Sequence, residues 1–176
     1  MGKMIHLDGM PKDRVELDVT LGTRPASIEG VTVKSLRQIP DARGRLMEVL
    51  RCDWDQFVGF GQAYVTTAYR GAVKAWHMHR KQTDNIAVVS GMARVAVAQF
   101  DPKRPERARV EEWFAGVLNP LLIHVPPGIW HGFMGLTDDV VVMNVPDKLY
   151  NYKDPDEERL DPDGLPSFDW HAGRAG

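Results

Sequence analysis

Between Val31 and Val145 the sequence breaks into short apolar or alternating runs separated by turn residues, a pattern that confines the chain to an all-β architecture. The runs are Val31 to Leu36, Leu46 to Arg51, Ala63 to Tyr69, Val73 to His77, Ile86 to Ser90, Ala93 to Phe100, Val110 to Phe114, Leu121 to Val125 and Val140 to Val145. Most are strand-length and rich in Val, Tyr, Thr and Ile. The breaks carry turn chemistry: Asp41 to Gly44, Ser90-Gly91, Asp101-Pro102, Asn119-Pro120, Pro126-Pro127-Gly128 and Thr137-Asp138-Asp139. Short strands at this spacing predict an antiparallel sandwich or barrel. Asp53 to Phe57 is the one helical hint. Three regions follow: residues 1–30, broken by Pro11, Gly22, Pro25 and Gly30, form an N-terminal arm; residues 31–145 form the barrel; residues 146–176 form a C-terminal tail. Trp170 predicts that the tail folds back onto the barrel, whereas Asp154 to Glu158 reads as a solvated acidic loop.

Composition narrows the partners. With 22 Lys and Arg against 24 Asp and Glu, the formal charge is −2, so no general positive field attracts nucleic acid or an anionic membrane. An anionic ligand must be held locally. The single cysteine, Cys52, excludes an internal disulfide framework and a Cys-rich zinc site and fits a reducing compartment. No signal-like segment stands at the start, and no apolar stretch approaches the ~18 to 20 residues that span a bilayer. A cytoplasmic protein is expected.

The histidines carry the most specific chemistry. His77 and His79 lie two apart in a strand-like run, so alternation points both imidazoles to one face. Trp76 and Trp130, each next to a candidate histidine, then point away from the pocket, and Lys74 needs a bulge to share the face of His77. His124 reads as a satisfied barrel or interface histidine. The spacing of Gly71, His77, His79, Asp84 and Gly91, followed by Pro126-Pro127-Gly128 and His131, resembles the two motifs of the cupin family over residues 60–145. That resemblance implies a double-stranded β-helix, or jelly-roll, barrel. Three imidazoles and a carboxylate also suit a divalent metal, so His77, His79, Asp84 and His131 define one alternative, a metal-dependent cupin oxygenase or isomerase.

A longer resemblance covers residues 30–150. Asp41-Ala42-Arg43-Gly44-Arg45-Leu46-Met47-Glu48, Gln62, Gly71 to His77 and Pro127 to Phe133 are similar in order and spacing to the dTDP-4-dehydrorhamnose 3,5-epimerase family. The resemblance implies a homodimer with exchanged N-terminal strands, a dTDP-sugar ligand and no metal or organic cofactor. It implies that His77 is the proton-abstracting base, that Arg43 meets the diphosphate, that Glu48 lies near the nucleotide base and that His131 lines the sugar pocket. Gln62, His79 and Asn144 complete the expected substrate-binding set. Three positions depart from the family: Lys74 replaces an arginine, Asp84 a lysine and Asn144 the acid tyrosine. Tyr150 and Tyr152 are the tail phenols available as replacements, with Tyr150 the catalytic candidate, and Asp161 resembles the carboxylate that orients the base. The expected function is a nucleotide-sugar epimerase that abstracts a proton beside a 4-keto group. A non-catalytic sugar-nucleotide-binding cupin is the remaining alternative.

Overall fold

The computed structural model describes residues 22–101 and 103–172, and their regular structure is almost entirely β. Thirteen strands occur among these residues: β1 (Thr23–Pro25), β2 (Thr32–Ser35), β3 (Gln38–Asp41), β4 (Gly44–Met47), β5 (Tyr64–Ala68), β6 (Val73–Met78), β7 (Asp84–Ser90), β8 (Met92–Gln99), β9 (Arg109–Gly116), β10 (Leu121–Val125), β11 (Trp130–Gly135), β12 (Val140–Asn144) and β13 (Glu158–Arg159). Two 3-10 turns, Pro105–Arg107 and Pro162–Gly164, complete the set.

The strands form a six-stranded sheet in the order β1-β2-β10-β7-β12-β5, a five-stranded sheet in the order β13-β6-β11-β8-β9, and a separate ribbon, β3-β4. Neighbours pair antiparallel throughout, including β12 with β5 and β11 with β6. Alternation sorts the side chains. Val95 and Val97 of β8 join Val33, Ile86, Val88, Ile123 and Val142 of the six-stranded sheet in the core between the layers, while Ala96 and Ala98 face outward beneath the tail. The expected all-β jelly roll is the observed fold.

Several strands match the expected runs closely, Leu121–Val125 at both ends. The helical hint at Asp53 to Phe57 is a pair of turns closed by Trp54 N–H to Arg51 C=O and Phe57 N–H to Trp54 C=O. Residues 1–21 of the expected arm lie outside the described residues. Residues 22–30 belong to the barrel itself, since β1 pairs with β2 and Ile28 is fully buried in the inter-sheet core.

The tail adds a strand and a second apolar layer. β13 extends the five-stranded sheet against β6, and Trp170, 1% exposed, packs 4.9 Å from the Trp76 ring and 5.0 Å from Phe168. Arg94 anchors this layer by donating to the carbonyls of Asp169 at 2.9 Å and Trp170 at 2.7 Å, and its Nε pairs with Glu112. The acidic segment differs from the expected solvated loop. The Asp156 carboxylate accepts the backbone N–H groups of Arg80, Lys81 and Gln82 and so clamps the turn between β6 and β7. Removing the Trp170 side chain leaves a large void under Trp76, so Trp170→Ala is expected to lower the unfolding free energy by about 3 to 5 kcal/mol, as large-to-small core changes do. Urea unfolding checks this, and a loss below about 1 kcal/mol would show that the tail layer contributes little.

Candidate active site

A cavity of about 650 Å³, within the range of small-molecule sites, opens between the two sheets. β6 and β11 build one wall. His131 pairs with His77 and Phe133 with Lys74, so between these pairs Gly132 alone on β11 faces Ala75 and Trp76 on β6. This bulge brings Lys74 to the same cavity as His77, as the sequence requires, while the Trp76 ring packs against Phe168 and Trp170 of the tail. Gly132 permits the close passage of β11, because a Cβ there would lie 2.3 Å from Ala75 Cβ.

Three imidazoles meet at the end of this wall. The His77 and His131 rings lie 4.0 Å apart, and His79 lies 5.9 Å from each. His131 Nδ1 lies 3.1 Å from the Ile129 carbonyl, and His79 Nδ1 bonds the Asp156 carbonyl. A carbonyl cannot donate, so both Nδ1 atoms carry the hydrogen and both Nε2 atoms turn inward. They face Asp84 Oδ2, at 3.3 Å from His131 and 3.5 Å from His79.

Asp84 is 1% exposed. Its Oδ1 accepts from Gln82 Nε2 at 2.9 Å and Asn144 Nδ2 at 2.7 Å. Burial alone raises a carboxyl pKa, but His131, His79 and Asn144 outweigh it and hold Asp84 at about 2. His77 shifts the other way: burial first, then the positive potential of His131, His79 and Arg159, lowers its pKa well below the ordinary histidine value, against the opposing pull of Asp84. It is a neutral imidazole at physiological pH.

The tail and β5 supply the rest. Glu157, Arg159 and Asp161 line the cavity, Arg159 lying opposite His77 in the β13–β6 register and 3.0 Å from Glu157. Lys74 Nζ donates to Thr66 Oγ1 at 2.8 Å. Asn144 Nδ2 also donates to the Tyr64 hydroxyl at 2.9 Å. Burial, Asp84 and Glu157 raise the phenol pKa of Tyr64 against the lowering effect of Asn144.

The cavity thus gathers His77, Lys74, His131, Asn144 and Asp161, with His79 and Asp84 behind them. It does not gather Arg43, Glu48, Gln62 or Tyr150. Arg43 sits at the tip of the β3-β4 ribbon with its side chain 89% exposed and paired to Asp41, because that ribbon joins neither large sheet. Glu48 pairs with Arg51 at the surface, and Gln62 meets Pro146 C=O through its backbone N–H. Tyr150 packs edge to face on Tyr152. Asp161 lines the cavity while its carboxylate caps the second 3-10 turn through Asp163 N–H. His124 contacts Asn85 Oδ1 at 3.0 Å, a satisfied barrel histidine. Two cavity residues, Tyr64 and Arg159, escape a reading by sequence spacing, since cross-strand register alone brings them to Asn144 and His77.

The donor set also fits a divalent cation. Ligand atoms of His77, His79 and His131 lie within 4.8 Å of one another. Asp84 Oδ2 and His131 Nε2 are buried without a well-formed hydrogen bond among the described residues. An imidazole lone pair facing a carboxylate requires a positive centre between them, which a shared proton or a metal ion supplies.

Two layered sheets with an imidazole-lined cavity between them define a cupin barrel. The profile of the polysaccharide biosynthesis C-terminal domain family matches residues 39–158, and the chain belongs to that family. It is 35% identical over 150 residues to a probable low-salt glycan biosynthesis epimerase, Agl13, of Haloferax volcanii, covering 83% of this chain and 96% of the relative. The spore coat polysaccharide biosynthesis protein SpsL of Bacillus subtilis is 32% identical, with 82% and 97% covered. The crystal structure of a dTDP sugar isomerase from Desulfovibrio desulfuricans G20 superimposes with a TM-score of 0.73 at 31% identity, covering 82% of this chain and 93% of that one.

Asp84 provides a test of this electrostatic centre. A carboxyl held at about 2 against an ordinary 3.8 stabilises the fold above pH 4 and loses that contribution as pH falls toward 2. The difference corresponds to about 2 kcal/mol, on the order of 1.4 kcal/mol per unit. Asp84→Asn is expected to flatten the acid limb of stability by that amount in urea unfolding between about pH 5 and pH 2. An unchanged limb would overturn the assignment.

Proposed function

We propose that the protein is a nucleotide-sugar epimerase that moves a proton on a carbon next to the 4-keto group of a dTDP-linked, or related, 6-deoxyhexose. The observation that carries this is His77, a half-buried neutral imidazole on the wall of a sugar-sized cavity that also holds Lys74 and Arg159. Its relatives include proteins named as an epimerase and as a dTDP sugar isomerase.

The 4-keto group acidifies the hydrogens on C3 and C5. Removing one needs a base, and the resulting enolate needs a cation or hydrogen-bond donors. His77 takes the proton. Lys74, whose described hydrogen bond is to the neutral Thr66 hydroxyl, meets the enolate charge. Asp161 orients the His77 ring, and His131 and Asn144 contact the sugar.

Incubating a dTDP-4-keto-6-deoxyhexose with the protein in deuterated water, with NMR at C3 and C5, tests the proposal. Wild type is expected to introduce deuterium, and His77→Asn to lose exchange by about 10²-fold or more while keeping dTDP binding. Because burial lowers the pKa of His77, exchange should hold steady as pH falls through 6.5 and decline only below it. No exchange at either carbon in wild type would favour a binding-only cupin.

Asp84 Oδ2 and His131 Nε2, which face each other at 3.3 Å without a well-formed hydrogen bond, support a second reading, a metal-dependent cupin enzyme with an ion held by His77, His79, Asp84 and His131. Such an ion supplies Lewis acidity. Elemental analysis of protein purified without chelator, and exchange before and after chelation, separate the two: the epimerase reading expects exchange to survive metal removal.

The enzyme acts in the cytoplasm as a homodimer on this proposal. The exposed, unpaired Cys52 supports the compartment, and no described helix is long and apolar enough to cross a membrane. The β3-β4 ribbon supports the dimer: it exposes Ile39 and Leu46 and carries Arg43 away from the chain's own cavity, so a second copy covers the apolar pair and receives the arginine at its diphosphate site. Light scattering should give twice 19.8 kDa. A stable 19.8 kDa species at micromolar concentration would remove both the dimer and the role of Arg43.

A further inference from the structure

Inversion at carbon requires proton removal on one face and delivery on the other, so a base alone is half of a site. Resting on the epimerase reading above, we propose that Tyr64 is the proton donor, its phenol delivering the new C–H hydrogen from the wall opposite His77.

Topology places the two groups on opposite sides. His77 lies on β6 in the five-stranded sheet, Tyr64 lies on β5 at the edge of the six-stranded sheet, and both line the cavity between them. Tyr64 is directly across from Asn144 in the β5–β12 register, and residues opposite one another in an antiparallel pair share a face. Thr66, two residues along β5, lines the same cavity and receives Lys74.

The hydrogen bonds of Asn144 fix the direction of the phenol hydrogen. Asn144 Oδ1 accepts the Asn85 backbone N–H at 3.0 Å, which settles which end of the amide is nitrogen. The two Nδ2 hydrogens then go to Asp84 Oδ1 at 2.7 Å and to the Tyr64 oxygen at 2.9 Å. Tyr64 is therefore the acceptor in that bond. Its own O–H is left to donate elsewhere, and the oxygen keeps an N–H partner when it becomes phenolate. The phenol's raised pKa keeps it protonated at neutral pH.

The step balances. His77 takes the hydrogen from carbon, the C–H electron pair moves into the enolate, and the enolate carbon takes the Tyr64 O–H hydrogen on its other face. The imidazolium then releases a proton to solvent and the phenolate regains one. No oxidant or reductant enters.

Tyr64→Phe tests this in deuterated water, with exchange and inversion followed separately by NMR on a dTDP-4-keto-6-deoxyhexose. The variant keeps the ring, and thermal unfolding and dTDP calorimetry confirm that fold and binding persist. The expected result is inversion slowed by about 10²-fold or more, with deuterium exchange at the same carbon retained, because His77 still removes and returns the proton on its own face. Wild-type inversion in Tyr64→Phe would overturn the role of Tyr64 and leave the epimerase reading standing. Equal loss of exchange and inversion would also overturn it, showing a positioning role instead. Absence of exchange in wild type would overturn both.

Discussion

Asp84 is the charge around which the site is assembled. A carboxylate removed from water costs several kcal/mol unless its lone pairs are met, and here the partners arrive from different parts of the fold. Asn144 comes from β12, His131 from β11, and Gln82 and His79 from the clamped turn between β6 and β7. The two sheets are thus tied by polar contacts at the end of an otherwise apolar interface. Any motion that opens the cavity at this end unpairs a buried charge, so the imidazole cluster rests on a rigid wall.

The tail links stability to the site. Alanines at 96 and 98 leave room on the outer face of the five-stranded sheet, and Leu165 and Trp170 fill it. The same segment adds β13 to the sheet edge and delivers Glu157, Arg159 and Asp161 to the cavity. Asp156 completes the connection, its carboxylate holding the β6–β7 turn while its carbonyl fixes the tautomer of His79. Packing of one tryptophan and placement of a cavity cation are consequences of one folded segment.

Much of the barrel was legible because half-buried strands write their alternation into the sequence. β10, with Leu121, Ile123 and Val125 inward, is the clearest instance. β11 was not legible as a strand: Trp-His-Gly-Phe-Met-Gly lacks a β-branched run, and its glycine serves close passage beside Ala75 rather than strand propensity. Spacing put His77 and His79 on one face, since two residues along a strand share it, whereas His131 came from the resemblance of its Pro126-Pro127-Gly128 turn to the second cupin motif. Tyr64 was hidden because its partner Asn144 lies across a strand pair, 80 residues away. Arg43 shows the converse, a motif match whose ribbon stands apart from the chain's own cavity.

The field inside the cavity serves two ends at once. Burial first, then His131 and His79 and least of all Arg159, disfavour a positive charge on His77 and keep its imidazole neutral. The same potential favours negative charge, and on the epimerase reading proposed above the enolate formed beside Lys74 is the negative charge that proton removal would create. Among the described residues Lys74 has no carboxylate partner, only the Thr66 hydroxyl, so its charge is not spent on a resident ion pair. Arg159 differs: Glu157 at 3.0 Å offsets it, which tempers the cavity's positive potential without abolishing its effect on His77. On that reading, a base kept neutral chiefly by burial and an enolate intermediate met by Lys74 share one cavity, whose positive potential supports both steps.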